Sequence, residues 1–206
     1  MEVENNKELV PFGHYCDQWK EMDPAARSTE SGVPYDAETG TFTVTLLGVT
    51  YHLHWPEFAI EADGGAGFAL NNIPAQILLM RYVMESKPVP FTGKFLTFRE
   101  MPWGDVYIKP FTGRCLTRAA FTFGTRLPAF RAAMEKMGAA KVDHGDAGYQ
   151  VEFLPGLFMQ ILVWEGDDEF PPNSQILFSD NFAEAFAAED RVVCADILIG
   201  DGKCHM

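Results

Sequence analysis

Three adjacent carboxylates form the most conspicuous group of chemically capable side chains in the sequence: Asp167, Asp168 and Glu169. Neighbouring carboxylates repel one another, so a turn that holds three needs a cation, an arginine or backbone donors close by. One interpretation is an oxygen-ligand site for Mg²⁺ or Ca²⁺, completed by Asp180 or Glu189. We call residues 167–169 the acidic turn.

Two other interpretations of the acidic turn stay open. In the first, an aspartate caps its own backbone and the glutamate pairs with Arg99 or Arg118, which gives a purely structural turn. In the second, the carboxylates contact a ligand other than a metal ion. The sequence does not decide among the three.

His52 and His54 lie two residues apart in a predicted strand, so both imidazoles leave the same face, roughly 7 Å apart. That spacing suits two ligands of one metal ion, and zinc or iron would need a third ligand from elsewhere. A polar sheet face that also carries Thr50 explains the same pattern without a metal.

Four cations surround a group of aromatic residues in the middle of the chain. Guanidinium groups beside aromatic rings suit an anionic or planar ligand, such as a cofactor with carboxylates or phosphate. The alternative is that these cations extend over the edge of the core with their charged ends in water. The cations are Arg99, Lys109, Arg114 and Arg118, and the aromatic residues are Trp103, Tyr107 and Phe111.

Charge is unevenly distributed along the chain. The formal net charge of −13 argues against binding to nucleic acids or anionic membranes. Residues 87–141 hold ten Lys and Arg against three Asp and Glu, whereas residues 164–206 hold two against ten. Either the two segments face one another, or the basic one receives an anionic ligand.

The sequence contains no catalytic motif that would identify a nucleophile. The sequence contains no G-x-S-x-G and no H-E-x-x-H, and its Asp63-Gly-Gly-Ala-Gly segment lacks the spacing of a phosphate-binding loop. Its four cysteines include no C-x-x-C pair, which leaves a structural zinc site without local support. We interpret Cys194, among apolar neighbours, as a small buried residue.

In the first part of the chain, Pro11 and Gly13 interrupt a helical pattern, so we expect a helix only from about His14 to Met22. The segment 23–36 is rich in loop-forming residues. Alternating β-branched residues predict a hairpin over 41–55 that turns near Gly48, followed by a short strand at 58–61. Asn72 predicts the N-cap of a buried helix over 73–84.

In the second part, alternation predicts that Phe95–Arg99 pairs with Val106–Lys109 in a hairpin. Helices are expected over 112–123 and 127–137, and strands over 141–143, 149–154, 158–164 and 175–178. A last helix is predicted over 187–199, followed by a frayed tail.

The order of these elements favours the α+β class, with an antiparallel sheet or sheets built from hairpins and helices packed on one face. We expect residues 1–35 to form an N-terminal extension of helix and loop, and residues 36–206 to form a single α+β domain. The acidic N-terminus lacks the order of a secretion signal and no apolar run reaches 18 residues, so we expect a cytoplasmic protein.

Two sequence blocks, 77–107 and 162–180, and the later Ala188-Glu-Asp resemble the family described as domain of unknown function 3786, which occurs in anaerobic bacteria and archaea. The match includes Phe98-Arg-Glu-Met and Gly166-Asp-Asp-Glu-Phe-Pro-Pro. Phe95, Trp103 and Ser179 depart from the family pattern. The resemblance implies no established activity, and it suggests an association with iron–sulfur and corrinoid proteins of one-carbon metabolism.

Our first hypothesis is a non-catalytic binding or accessory protein for an anionic or planar small molecule, or for a partner protein. It would use the acidic turn and the basic aromatic segment, by which we mean the four cations and three aromatic residues named above between Arg99 and Arg118. The alternative is a metal-dependent enzyme that uses His52, His54 and the carboxylates of the acidic turn. A third hypothesis is a purely structural interaction module. The sequence identifies neither a cofactor nor an oligomeric state.

Overall fold

The computed structural model describes residues 6–206. The chain forms two compact units, of which the first ends at Val89 and the second begins at Pro90. This boundary differs from the expected division at residues 35 and 36, because the helices of the N-terminal segment pack onto the elements that follow them. Both units combine helices with an antiparallel sheet, which confirms the α+β class.

The first unit contains three helices and a four-stranded sheet among the described residues. The helices are α1 (Asn6–Glu21), α2 (Pro24–Ser31) and α3 (Ile73–Glu85). The strands are β1 (Tyr35–Asp36), β2 (Thr41–Leu46), β3 (Val49–His54) and β4 (Ile60–Ala62), in the order β1-β2-β3-β4. Leu47 and Gly48 make the β2–β3 turn with φ of 49° and 81°, so the predicted hairpin is confirmed.

The N-terminal helices differ from the sequence prediction. Helix α1 begins at Asn6 and continues through Pro11, which lies near its exposed start, where water can satisfy the carbonyl that proline leaves unpaired. The expected loop after α1 contains α2, since the Asp23 carboxylate accepts hydrogen bonds from the Ala25 and Ala26 N–H groups. Gly32, at φ 73°, ends α2 in the left-handed conformation.

The core of the first unit contains Trp19 and the α3 helix. The Trp19 ring packs edge-on against Phe42 at 5.3 Å, and its Nε1 donates to the His54 carbonyl at 2.9 Å. The predicted N-cap is confirmed, because the Asn72 Oδ1 accepts a hydrogen bond from the Ala75 N–H. The Trp19 contacts hold α1 against the hairpin, and α3 packs against α1 and α2.

The second unit contains a five-stranded sheet in the order β5-β9-β8-β7-β6. Its strands are β5 (Phe95–Thr97), β6 (Ala140–Val142), β7 (Ala147–Leu154), β8 (Leu157–Trp164) and β9 (Asn173–Ser179). Its helices are α4 (Gly104–Phe111), α5 (Arg118–Phe123), α6 (Leu127–Lys136), α7 (Phe182–Ala185) and α8 (Ala188–Cys204). A wide π-helical turn, Thr112–Thr117, joins α4 to α5 without a break.

We call the continuous helix over residues 104–123 the outer helix. Its α5 segment packs against β8 and β9, and the outer helix also contacts α8. Helix α8 continues to Cys204, beyond the predicted fraying point, because Gly200 and Gly202 are buried in its packing face. No helix among residues 6–206 combines the length and the apolar character needed to cross a membrane.

The predicted hairpin between Phe95–Arg99 and Val106–Lys109 is wrong. Strand β5 pairs instead with β9, with Thr97 opposite Leu177, and Val106–Lys109 lies in α4. Tertiary packing decides the outcome: Gly104 allows the start of α4 to approach the Phe98–Arg99 backbone, where no side chain fits.

We predict that Gly104→Ala destabilises the protein. The added Cβ would collide with the Phe98 carbonyl oxygen and lie 2.8 Å from the Arg99 Cα. We expect the free energy of unfolding, measured by urea titration, to fall by about 2 kcal/mol or more.

Gly113→Ala is the matched control, since it lies in the same outer helix and a Cβ there meets nothing within 4 Å. Alanine in a helix gains up to about 1 kcal/mol over glycine, so Gly113→Ala should be neutral or stabilising. Equal losses for the two variants would contradict the packing argument.

Candidate functional site

The π-helical turn of the outer helix is fixed by β9. A π turn displaces a carbonyl from the regular helical ladder, and such turns often accompany functional sites. Here the buried Ser174 hydroxyl donates to the Leu116 carbonyl oxygen at 2.7 Å. The sheet therefore supplies the hydrogen bond that the wide turn needs, and sets how the side chains on either side of the turn project.

Two of the predicted ligand-binding arginines converge on one carboxylate of α8. Arg114 donates from Nε and Nη2 to the Asp196 Oδ2, at 3.0 and 2.6 Å, and the Arg118 Nη1 donates to Oδ1. Partly exposed pairs of this kind contribute about 1 kcal/mol or less each. Their guanidinium groups are committed to Asp196, so they are not arranged as an open cradle for an anion.

The remaining members of the basic aromatic segment are dispersed. The Arg99 Nε lies 3.2 Å from the Asp105 Oδ1 at the exposed start of α4. Phe111 is buried and stacks on Phe98, with ring centroids 4.1 Å apart, so it belongs to the core. Lys109 is exposed and has no carboxylate partner in the described part of the chain.

Trp103 and Tyr107 lie one helical turn apart at the start of the outer helix. Tyr107 is half-buried, whereas the Trp103 side chain is 74% exposed. The Trp103 backbone adopts the left-handed conformation, with φ 62° and ψ 9°, immediately before α4. Sequence reasoning placed Trp103 in a hairpin turn, and the structure places it at the tip of a helix.

Arg191 holds the loop that carries Trp103. Its guanidinium is buried, lies 5.5 Å from the Phe98 ring centroid and donates from Nη2 to the Pro102 carbonyl oxygen. Burial lowers the pKa of Arg191. Sequence reasoning missed this residue, because a charged side chain in a C-terminal helix ordinarily lies in water.

The acidic turn caps itself. The Asp167 Oδ1 accepts hydrogen bonds from the Phe170 and Glu169 N–H groups, at 2.7 and 2.9 Å, and these bonds lower the pKa of Asp167. The Asp168 and Glu169 side chains are exposed and form no ion pair among residues 6–206. The structure thus matches the interpretation in which an aspartate caps its own backbone, but not the expected pairing of the glutamate with Arg99 or Arg118.

Asp180, the expected helper of a metal site, has another role. Its carboxylate accepts hydrogen bonds from both the N–H and the hydroxyl of Thr92, which lower the pKa of Asp180. It thereby fastens the segment before β5 to the end of β9.

The two histidines lie in the first unit, on the same face of β3 as predicted. The His52 Nε2 lies 2.9 Å from the Asp63 Oδ1, and the His54 Nε2 lies 3.7 Å from the Glu61 Oε1. Each imidazole thus has its own carboxylate neighbour. Within residues 6–206, no three or more His, Cys, Asp and Glu side chains come together as metal ligands do.

A stripe of exposed residues on the outer helix was missed. Its members are separated by three, four, seven and four residues, on the side opposite the buried Phe111 and Cys115, so they share one helix face. We call this set the outer stripe: Trp103, Val106, Pro110, Thr117 and Phe121. The helical spacing is present in the sequence, but it is overlooked when Val106–Lys109 is assigned to a strand.

The acidic turn begins close to the end of the outer helix. A Cβ at Gly124 would lie 2.6 Å from the Pro172 Cβ and 2.9 Å from the Trp164 carbonyl oxygen. The segment that carries the acidic turn runs between Trp164 and Pro172. Phe170 in this segment is 66% exposed, so apolar surface accompanies the carboxylates.

One family model covers most of the chain. The family model described as Domain of unknown function (DUF3786) matches residues 23–201. The chain belongs to this family. No curated protein and no solved structure matches it.

Along the sequence, the blocks that suggested the DUF3786 family lie before and after most of the outer helix. Thr92, from the first block, and Asp180, from the second, are the two residues joined by the hydrogen bonds described above. In this family member, Phe98 and Asp167 also have structural roles, in the core and in the turn. The exposed side chains of Trp103, Asp168 and Phe170 contribute no comparable contact to the described part of the fold.

The buried cysteines of this DUF3786 protein are poor nucleophiles. Burial, helped by the nearby Asp196 and opposed by Arg114 and Arg118, raises the pKa of Cys115 to about 12. The Cys115 thiol donates to the Val192 carbonyl oxygen at 3.5 Å. Burial also raises the pKa of Cys194 well above its ordinary value.

We predict that iodoacetamide at pH 8 labels the exposed Cys204 in the native protein and spares Cys115 and Cys194. A pKa of about 12 leaves about one thiol in ten thousand ionised at that pH. Mass spectrometry of the labelled peptides, with urea-unfolded protein as the fully reactive control, gives the rates. Native labelling of Cys115 as fast as Cys204 would contradict the burial argument.

Proposed function

We propose that this protein is a non-catalytic accessory protein that binds a partner protein through the surface formed by the outer stripe and the aromatic residues next to the acidic turn. We call this surface, all of it in the second unit, the outer face. The proposal selects one of the binding modes that the sequence left open.

The observation that carries the proposal is the exposure of large apolar side chains on the outer face. Single exposed apolar residues are ordinary, but a group on one surface is typical of interaction sites. Tryptophan often supplies much of the binding energy of protein interfaces, and phenylalanine is enriched in their cores. The exposed fractions are 74% for Trp103, 65% for Val106, 56% for Phe121, 37% for Trp164 and 66% for Phe170.

The ion pairs of the basic segment favour a protein over a small anion. A site for a small anion needs guanidinium groups that the ligand can engage, whereas Arg114 and Arg118 already bind Asp196. An extended partner can use the apolar stripe and leave that ion pair intact. The resemblance to the family adds iron–sulfur and corrinoid proteins of one-carbon metabolism as candidate partners.

We test the outer face by replacing Val106 with the photo-cross-linking residue benzoylphenylalanine. Val10 in α1 is the matched control, since it is also a valine and is 64% exposed. We expect irradiation in cells to capture a partner at Val106 that Val10 does not capture. A capture pattern that is the same at both positions contradicts the proposal.

Affinity measurements then decide whether the captured partner uses the outer face. With the partner purified, we expect Trp103→Ala to raise the Kd by tenfold or more in calorimetry, because about 1.4 kcal/mol of interface energy is lost. Leu9→Ala, at an exposed residue of the first unit, should change the Kd less than about twofold. An unchanged Kd for Trp103→Ala overturns the proposal.

The metal-dependent enzyme is tested separately, by elemental analysis of protein purified without added metal. Because His52 and His54 each have a single carboxylate neighbour, we expect less than about a tenth of an equivalent of zinc, iron or manganese. We also expect no difference from the His52→Ala/His54→Ala variant. A stoichiometric metal that this variant loses would establish the alternative.

A further inference from the structure

The outer face has two halves of opposite charge. On the outer helix, Arg114 and Arg118 share Asp196 and Asp105 lies beside Arg99, which leaves Lys109 as a cation with no carboxylate partner in the described part of the chain. The segment after β8 contributes the exposed carboxylates Glu165, Asp168 and Glu169, which form no ion pair among residues 6–206. Each half also carries exposed apolar side chains.

These two halves are neighbours within one unit. The end of the outer helix at Gly124 lies against Trp164 and Pro172, which flank the acidic turn. The outer stripe thus leads from Trp103 to Phe121, which lies about one helical turn before Gly124. The surface is basic and apolar along the helix and acidic and apolar beyond it.

From this polarity we infer that the outer face binds a second copy of this chain across a two-fold axis, with the outer helix of one protomer on the acidic turn of its partner. The inference rests on the proposed function and names the partner. In a two-fold interface each contact occurs twice, so both charged halves are paired at once. The apolar side chains would lie in the middle, shielded by the charges.

Partners whose surface carries a single sign of charge fit only half of the outer face. An acidic protein would complement the helix and be repelled by the acidic turn, and a basic protein would meet the reverse problem. An anionic membrane would also be repelled by Asp168 and Glu169. A second copy complements both halves, because it carries the same surface turned around.

The first experiment measures the mass of the wild-type protein by light scattering after size exclusion, at about 100 μM. We expect a dimer of the 23.0 kDa chain in about 0.05 M salt. We also expect a Kd at least tenfold higher in about 1 M salt, where charges a few ångströms apart are screened. A monomer in low salt overturns the inference.

The second experiment exchanges charges. Variant one is Asp168→Lys/Glu169→Lys, and variant two is Lys109→Glu/Thr117→Glu; neither touches the pair between the arginines and Asp196. Each variant alone places like charges in both contacts, so we expect a monomer. In an equimolar mixture, opposite charges meet in both contacts, so we expect a heterodimer in native mass spectrometry.

The mixture distinguishes a lost interface from a misfolded variant, because misfolded chains would not recover the dimer. Asp17→Lys/Glu21→Lys, at exposed positions of α1, carries the same charge change as variant one and should stay dimeric. The inference is overturned if either variant remains a dimer, or if the mixture remains monomeric. A monomeric wild type that binds a cross-linked partner through Trp103 overturns the inference and leaves the proposed function standing.

Discussion

The second unit depends on one buried cation. The Arg191 guanidinium lies under the Phe98 ring and donates to the Pro102 carbonyl, so it joins α8 to the loop that starts the outer helix. A charge removed from water is costly unless it is paired or hydrogen-bonded, and the loss of such an arrangement disturbs everything packed around it. Trp103 and Gly104 follow Pro102 directly, so this contact holds the backbone from which the outer helix starts.

The uneven charge of the sequence has a structural explanation. The basic middle of the chain and its acidic end meet directly, because Arg114 and Arg118 of the outer helix share Asp196 of α8. This is the first of the two interpretations that the sequence left open. The charges that do not pair within the described fold, at Lys109 and at the acidic turn, give the outer face its polarity.

Short sequence patterns predicted the secondary-structure elements that depend on turn and cap residues. The β2–β3 hairpin follows from alternation and Gly48, and the α3 start follows from the Asn72 cap. The predicted strand over Val106–Lys109 is wrong because four residues of mixed character suit a strand as well as a helix. Packing around Gly104 places them in a helix. The Asp196 pairs lay beyond prediction, since their partners are about 80 residues apart. The self-capped Asp167 was foreseen as one interpretation.

Trp103 combines a left-handed backbone conformation, which costs free energy of folding, with a side chain that is mostly exposed. At φ 62°, glycine would occupy the position without the steric cost of a Cβ, which is about 1 kcal/mol for other residues. The position instead carries tryptophan, the largest side chain, and most of it is exposed to water. Folding gains little from that exposed indole, so burial of the side chain does not offset the backbone strain at this position.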